Sequence, residues 1–172
     1  MDWYVVDKDY IRYSIQFDSR VGYVEYGEKL KLHVGVLLTV NSYHYYVPIS
    51  SVKQKHQHMS NSLDFHKLQD ADTGYLYAVL NLNNMIPVPG SCITQLKYNQ
   101  VGQFRSFRNE KEKNDYIYLL QKEKAIIDSM QSTIQRKAKK LYAKCLRIPG
   151  SSLASRCCNF KLLEEKSNAY SK

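Results

Sequence analysis

The chain has 172 residues, which predicts a single domain over residues 1–172. Its 25 lysine and arginine residues outnumber its 16 aspartate and glutamate residues, so the formal net charge is +9. This charge favours a polyanionic partner, with nucleic acid ahead of an anionic membrane. Because the sequence has no long apolar run and no basic leader before an apolar stretch, we expect neither a membrane-spanning segment nor a signal peptide. Its four cysteines lack metal-finger spacing and predict a reduced, cytoplasmic protein.

The first half of the chain predicts mostly strands. Residues 5–17 indicate the end of a strand and a short helix capped by Asp7, and residues 19–29 indicate a loop. Residues 30–40 and 43–49 are apolar and β-prone around the turn signal Asn41-Ser42, which predicts a hairpin. Gly35 inside its first strand suggests a bulge or a close approach of another group. Short strands are expected at residues 64–68 and 75–82, and an edge strand at residues 85–88.

The second half predicts helices. Residues 91–98 suggest a short helix, and residues 109–146 lack glycine and proline, which predicts a long helical region with a break inside it. A loop around Pro149-Gly150 precedes a final helix over residues 160–166, capped by Asn159. Because strands come first and helices second, the sequence predicts an α+β fold.

A polar stretch directly after Pro48 carries the most chemical information. It holds two hydroxyls, two lysines and two histidines, namely Ser50, Ser51, Lys53, Lys55, His56 and His58. Metal-free RNA cleavage needs these groups, because the protein must deprotonate the 2′-hydroxyl, neutralise the phosphorane and protonate the leaving oxygen. From the pattern alone, a solvated loop after a strand is the alternative interpretation.

Two further sets of basic residues are candidates for RNA contacts. Lys29, Lys31 and His33 alternate, so on a strand they share one face, although a solvated start of the strand explains them equally well. The run from Arg136 to Arg147 contains no acid; it predicts either a phosphate-binding surface or a solvated helical face, and its candidate contacts are Lys137, Lys140 and Lys144. Tyr116, Tyr118 and Tyr142 suit base stacking or ordinary packing.

No cofactor or metal is expected. The histidines at positions 56, 58 and 66 lack a carboxylate or cysteine cluster at ligand spacing. The sequence also lacks a phosphate-binding glycine loop, a nucleophile elbow and a dinucleotide fingerprint.

Several motifs occur together, in order, between about residue 4 and residue 166. They are Tyr10-Ile11-Arg12-Tyr13, Phe17-Asp18, Gly35, Pro48-Ile49-Ser50-Ser51-Val52-Lys53, Asn81-Leu82-Asn83-Asn84-Met85-Ile86-Pro87, and Cys158-Asn159-Phe160-Lys161-Leu162-Leu163-Glu164-Glu165-Lys166. This order resembles the endoribonuclease toxins of type III toxin–antitoxin systems, the ToxN, AbiQ and CptIN-like group. The sequence departs from that pattern at Val52, where proline is frequent, at Ser50, where threonine is frequent, and at His33, where an aromatic residue is usual.

The resemblance implies a compact, strongly twisted antiparallel sheet flanked by helices, as in the Kid/MazF-type RNases. It implies metal-independent, sequence-specific cleavage of cellular RNA and of a repetitive RNA antitoxin precursor, with 2′,3′-cyclic phosphate and 5′-hydroxyl products. The processed antitoxin RNA would stay bound as an inhibitor in a closed assembly, paired or cyclic. The resemblance also implies a functional lysine at Lys31 and a functional tyrosine in the preceding loop, for which Tyr26 is the nearest candidate.

Together these interpretations give two sets of expected site residues. The expected catalytic residues are Ser50, Ser51, Lys53, Lys31 and Tyr26, and the expected RNA-binding residues are Lys29, His33, Lys55, His56, His58, Lys137, Lys140 and Lys144. A non-catalytic RNA-binding module with the same basic surface is the main alternative function. A DNA-binding regulator is a weaker alternative, because we find no convincing helix-turn-helix, and we expect neither DNA nor a membrane as partner.

Overall fold

The fold is an antiparallel sheet packed against helices, seen in a computed structural model that describes residues 1–22 and 31–171. The strands are β1 (Asp2–Val6), β2 (His33–Val40), β3 (Tyr43–Ser51), β4 (His66–Gln69), β5 (Leu76–Leu80), β6 (Ile86–Pro87) and β7 (Ile93–Gln95). The α-helices are α1 (Lys8–Ile15), α2 (Gln54–His58), α3 (Val101–Phe104), α4 (Glu110–Ser129), α5 (Gln131–Arg147), α6 (Ser152–Arg156) and α7 (Phe160–Ala169). Single 3₁₀ turns lie at Leu82–Asn84, Gly90–Cys92 and Tyr98–Gln100.

The sheet is open and has the strand order β4-β5-β3-β2-β1-β7, with β6 pairing separately with β3. All pairings in the described residues are antiparallel, which confirms the predicted α+β class. β3 is central because both of its edges are paired. On one side it pairs with β2; on the other its first half pairs with β6 and its last three residues pair with β5.

The two faces of the sheet have different surroundings. Trp3, Val34 and Val47 lie opposite one another on neighbouring strands and are almost fully buried. The indole Nε1 of Trp3 donates to the carbonyl of Leu120 in α4 at 3.2 Å, so this face packs against the helices. The residues that alternate with these three, including His33 and Pro48, point to the other face. Ser50 lies on that second face, two residues beyond Pro48.

A buried carboxylate fastens α7 to the centre of the sheet. Glu164 Oε1 accepts hydrogen bonds from the hydroxyls of Tyr45 in β3, at 2.8 Å, and Tyr142 in α5, at 2.7 Å. Its other oxygen accepts from Lys161 Nζ at 2.8 Å. Both tyrosine rings also contact Phe160. Strand, long helix and C-terminal helix therefore meet at one satisfied polar cluster inside the core.

Several local predictions are confirmed. β2 and β3 form the predicted hairpin, the long helical region breaks at Met130, and the side chains of Asp7 and Asn159 cap their helices. Both expectations for Gly35 hold. The β2–β3 register shifts between Val34 and Leu38, and a Cβ on Gly35 would overlap the ring of Tyr46.

Two differences from the prediction result from strand pairing. Residues 91–98 do not form a helix but a 3₁₀ turn followed by β7, because the free edge of β1 pairs with Ile93 and Thr94. The second hairpin strand also does not stop at residue 49. It continues to Ser51, since β5 supplies a partner for Ile49, Ser50 and Ser51. The predicted loop at residues 19–29 lies largely outside the described residues.

Candidate active site

The two candidate hydroxyls end the central strand. Ser50 pairs with Val79 and Ser51 with Ala78, so both belong to the ladder between β3 and β5 and not to a free loop. Ser50 Oγ accepts a hydrogen bond from Asn81 Nδ2 at 3.0 Å. The Ser51 side chain is exposed and points to the opposite side from Ser50. The sheet thus fixes the position of both hydroxyls, and Asn81 orients one of them.

A histidine inside the next turn holds Lys53 in place. The backbone N–H of Lys53 donates to His56 Nδ1 at 3.1 Å, and the N–H of His56 donates to the carbonyl of Lys53 at 2.8 Å. His56 is only 5% exposed, and its ring lies against Phe65. Burial, followed by the charges of Lys55, Lys53 and Lys67, lowers the pKa of His56. A neutral imidazole is the form that accepts the bond at Nδ1, so this histidine stabilises the turn that presents Lys53 at the surface.

Lysines gather around this strand end. Lys31 lies against the backbone of Gly22, since a Cβ there would be 2.8 Å from Lys31 Nζ. Burial, and after it the charge of Lys53, lowers the pKa of Lys31 from its usual 10.5. Lys67 in β4 pairs with Val79, which in turn pairs with Ser50, so Lys67 shares the face of Ser50. Its Nζ donates to the carbonyl of Gln57 at 2.9 Å, beside α2. We call Lys31, Lys53, Lys55 and Lys67 the lysine cluster.

His33 lies under this surface. It is 5% exposed, and its Nδ1 is buried with no hydrogen-bond partner in the described part of the chain. Burial, with a smaller effect from the charge of Lys31, lowers the pKa of His33 to about 3. His33 and His56 are therefore both interior and neutral, and a direct contact with RNA would require their exposure. His58 and Lys55, by contrast, are exposed on α2.

The three candidate lysines of α5 have different surroundings: Lys137 anchors the helix, and the other two are exposed. Lys137 Nζ donates to the carbonyl of Ser62 at 2.7 Å and lies 2.8 Å from His66 Nδ1. Burial and the charge of Lys137 lower the pKa of His66 to about 4, so the ring is a neutral acceptor. Because His66 precedes Lys67 on β4, Lys137 docks on the face opposite to Ser50. Lys140 and Lys144 are exposed on α5.

Sequence reasoning did not select Lys67 or Asn81 as site residues. Lys67 reaches Ser50 through strand pairings and Asn81 through a side-chain hydrogen bond, and neither contact has a local signature. Lys67 directly precedes the apolar Leu68, however, and so could have been placed on the opposite, outward face. Tyr26 and Lys29 lie outside the described residues. Within residues 1–22 and 31–171 no three or more histidine, cysteine, aspartate or glutamate side chains converge as a metal site. No helix in those two ranges combines the length and apolar character that a bilayer crossing requires.

The arrangement can bind and polarise a phosphate diester. Hydroxyl donors stand at the end of a rigid strand, and ammonium groups lie on the two neighbouring segments. A partly buried lysine whose pKa is lowered is also a candidate proton acceptor.

Comparison with known proteins agrees with this chemistry. A family model described as toxin ToxN of the type III toxin–antitoxin system matches residues 2–168. Endoribonuclease AbiQ from Lactococcus lactis subsp. lactis is 28% identical over 179 residues, covering 99% of this chain and 89% of AbiQ. Endoribonuclease ToxN from Bacillus thuringiensis subsp. kurstaki is 28% identical over 176 residues, covering 98% of this chain and 83% of that protein.

Solved structures share the whole fold. AbiQ, a lactococcal anti-phage endoribonuclease, superposes with a TM-score of 0.81 at 27% identity over 98% of this chain and 96% of its own. A protein of a bacterial antiviral system regulated by a processed non-coding RNA superposes with a TM-score of 0.83 at 26% identity over 100% of both chains. The family model, the relatives and the fold agree, and this chain belongs to the ToxN family of toxins from type III toxin–antitoxin systems.

Proposed function

We propose that this endoribonuclease toxin cuts RNA at the end of β3, by attack of the 2′-hydroxyl on the neighbouring phosphate and without a metal. The proposal covers the chain as one catalytic domain, acting in the cytoplasm on cellular RNA and on its own repetitive antitoxin precursor. The observation that carries it is the position of the lysine cluster around two hydroxyls fixed by strand pairing. The family membership supports the reaction class.

Lys31 is the proposed general base. Its amine is partly buried, and both burial and the charge of Lys53 lower its pKa, so a neutral fraction is available at lower pH than for a free lysine. The neutral amine accepts the proton of the 2′-hydroxyl, and the 2′-oxygen then forms a bond to phosphorus. The bond from phosphorus to the 5′-oxygen breaks, which leaves a 2′,3′-cyclic phosphate.

Lys53 is the proposed electrostatic partner and proton donor. Its side chain is exposed at the start of α2, while its backbone is fixed by His56. The ammonium neutralises the phosphorane and gives a proton to the departing 5′-oxygen. Exchange with water then restores the starting protonation of Lys31 and Lys53.

Ser50 is proposed to hold a non-bridging oxygen of the scissile phosphate. Ser50 Oγ already accepts a hydrogen bond from Asn81, so its own O–H proton remains to be donated to the phosphate. Ser51, whose side chain points to the opposite side at the exposed strand end, is proposed to contact a neighbouring phosphate. Lys55, Lys67 and His58 would contact neighbouring phosphates. Tyr26 and Lys29 remain candidates through the family resemblance alone, and we propose supporting roles, not RNA contacts, for the buried His33 and His56.

An RNA antitoxin is the proposed inhibitor. A type III toxin from work on selective toxin inhibition by a non-coding RNA pseudoknot superposes on this chain with a TM-score of 0.80 at 25% identity, covering 98% of this chain and 96% of that chain. By analogy, the processed repeat of this system would occupy the cleft after cleavage and bridge toxin subunits in a closed, paired or cyclic assembly. Lys140 and Lys144 would contact antitoxin phosphates outside the cleft.

Cleavage of a labelled RNA by the purified protein in excess EDTA tests this function. We expect fragments with 2′,3′-cyclic phosphate and 5′-hydroxyl ends. Tight binding with intact RNA would instead favour the non-catalytic binding module. Fragments that form only after Mg²⁺ is added back would refute the metal-independent mechanism.

A further inference from the structure

Tyr75 and Tyr77 form an aromatic pair next to the serine end of β3, in which Tyr75 is exposed and Tyr77 is half-buried. Their ring centroids are 4.6 Å apart with an interplanar angle of 70°, and Tyr75 is 62% exposed. Ala78 pairs with Ser51, so Tyr77 lies one residue beyond that pairing. The β4–β5 register shifts at this point: Leu76 and Ala78 pair with Gln69 and Leu68, and Tyr77 is the extra residue between them. The pair continues the candidate active site along the sheet.

A tight turn fixes the position of this pair. One carboxylate oxygen of Asp70 accepts from the N–H groups of Asp72 and Thr73 and from the Thr73 hydroxyl. The Asp70 N–H donates to the carbonyl of Tyr75 at 2.9 Å, and Gly74 takes a φ of +69°, which favours glycine. The backbone that carries Tyr75 is thus ordered before any ligand arrives. An exposed ring on a fixed backbone loses little conformational entropy on binding.

Cationic side chains lie beside the pair. Lys67 lies opposite Val79, two residues along β5 from Tyr77. The charges of Lys53 and Lys67 both lower the pKa of His56, which places these lysines in one electrostatic neighbourhood. Aromatic rings that adjoin a basic track are the usual means of holding single-stranded nucleic acid. A second copy of this chain is a poorer occupant, because each copy carries a net charge of +9 and the two would repel.

We propose that Tyr75 and Tyr77 form a stacking platform for one unpaired base that flanks the scissile phosphate, and that this platform contributes to the choice of cleavage site. The inference rests on the proposed RNase function, because it places the scissile phosphate at Ser50. Stacking recognises the face of a base and tolerates different bases. The platform would therefore require an unpaired base and would favour large purine faces.

Two substitutions at one position separate stacking from other effects. Tyr75→Phe keeps the aromatic face and loses the hydroxyl, whereas Tyr75→Leu keeps apolar volume and loses the aromatic face. Wild-type protein first cuts an RNA pool with a randomised segment, and sequencing of the products identifies the cut position. KM is then measured on an RNA of that sequence and on copies that each lack one base near the cut.

We expect Tyr75→Leu to raise KM roughly 5- to 150-fold, the value of one stacked base, while Tyr75→Phe stays close to wild type. Removing one flanking base from the RNA should raise the KM of the wild-type protein by a similar factor. The same removal should change the KM of Tyr75→Leu little further, because the variant has already lost the stacking contact. If Tyr75→Leu keeps the wild-type KM, or if Tyr75→Phe and Tyr75→Leu raise KM equally, the stacking platform is refuted and the RNase function stays intact. An RNA pool that wild-type protein leaves uncut would refute both.

Discussion

Replacing Lys53 with methionine separates the chemistry of its ammonium from its place at the start of α2. Methionine keeps an unbranched stem and the backbone N–H that donates to His56 Nδ1. Because the Lys53 side chain is exposed, the free energy of unfolding should change by no more than about 0.5 kcal/mol. The cleavage rate should nevertheless fall about 10²- to 10³-fold, or about 2.7–4 kcal/mol of transition-state stabilisation, as for loss of one preorganised donor.

The same substitution should move the pH dependence of cleavage. The charge of Lys53 is one of the two causes that lower the pKa of Lys31, so its removal raises that pKa. Lys31 acts as a base only when neutral, and the wild-type rate therefore rises with pH until the pKa of Lys31 is passed. In Lys53→Met the rising limb should shift to higher pH, because less neutral amine is present at any given pH.

Single-turnover cleavage of a fluorescent RNA from neutral to alkaline pH measures both effects. Lys55→Met is the matched control, since Lys55 is exposed on α2 but does not contribute to the lowered pKa of Lys31. Its rising limb should stay in place. An unshifted or downward-shifted limb in Lys53→Met would refute the coupling. Full activity in Lys31→Arg would refute the base assignment, because a guanidinium stays protonated.

Three further predictions concern the stability of the fold and the exposed surface of α5. Gly35→Ala should lower the free energy of unfolding by about 1–3 kcal/mol in urea titrations, since its Cβ overlaps the Tyr46 ring; unchanged stability would contradict that contact. Glu164→Ala leaves two buried tyrosine hydroxyls without an acceptor and should cost about 2–4 kcal/mol, whereas Glu164→Gln keeps the acceptor and should cost less; equal losses would argue against this cluster. Reversing the charges of Lys140 and Lys144 should weaken antitoxin binding and reduce its salt dependence, with little effect on cutting of a short RNA; equal loss in both assays would place α5 in the active cleft.

Local sequence signals were sufficient to predict many of the helices, turns and strands. Capping residues such as Asp7 and Asn159, the turn at Asn41-Ser42 and the interrupted apolar stripe around Met130 act within a few residues of themselves. β7 was not predicted because a run of three residues is too short to show the alternation of a strand. They become a strand only because β1 offers a free edge distant in sequence.

The candidate site was only partly predictable for the same reason. Ser50, Ser51 and Lys53 are adjacent in sequence and form a recognisable pattern. Lys67 joins them through two strand pairings. Burial is also non-local: nothing adjacent to His56 in the sequence indicates that Phe65 covers its ring. The contacts of Lys137 with Ser62 and His66, which fasten α5 beside β4, likewise have no signal in the sequence around Lys137.

The most direct test of the central claim is a crystal structure of the toxin bound to an RNA whose 2′-hydroxyl is absent at the cut position. That RNA lacks the nucleophile and stays intact in the cleft. We expect the scissile phosphate to lie within hydrogen-bond distance of the Ser50 hydroxyl and of Lys53 Nζ, with the 2′-carbon facing Lys31. A scissile phosphate bound elsewhere, for example along Lys140 and Lys144 on α5, would contradict the account.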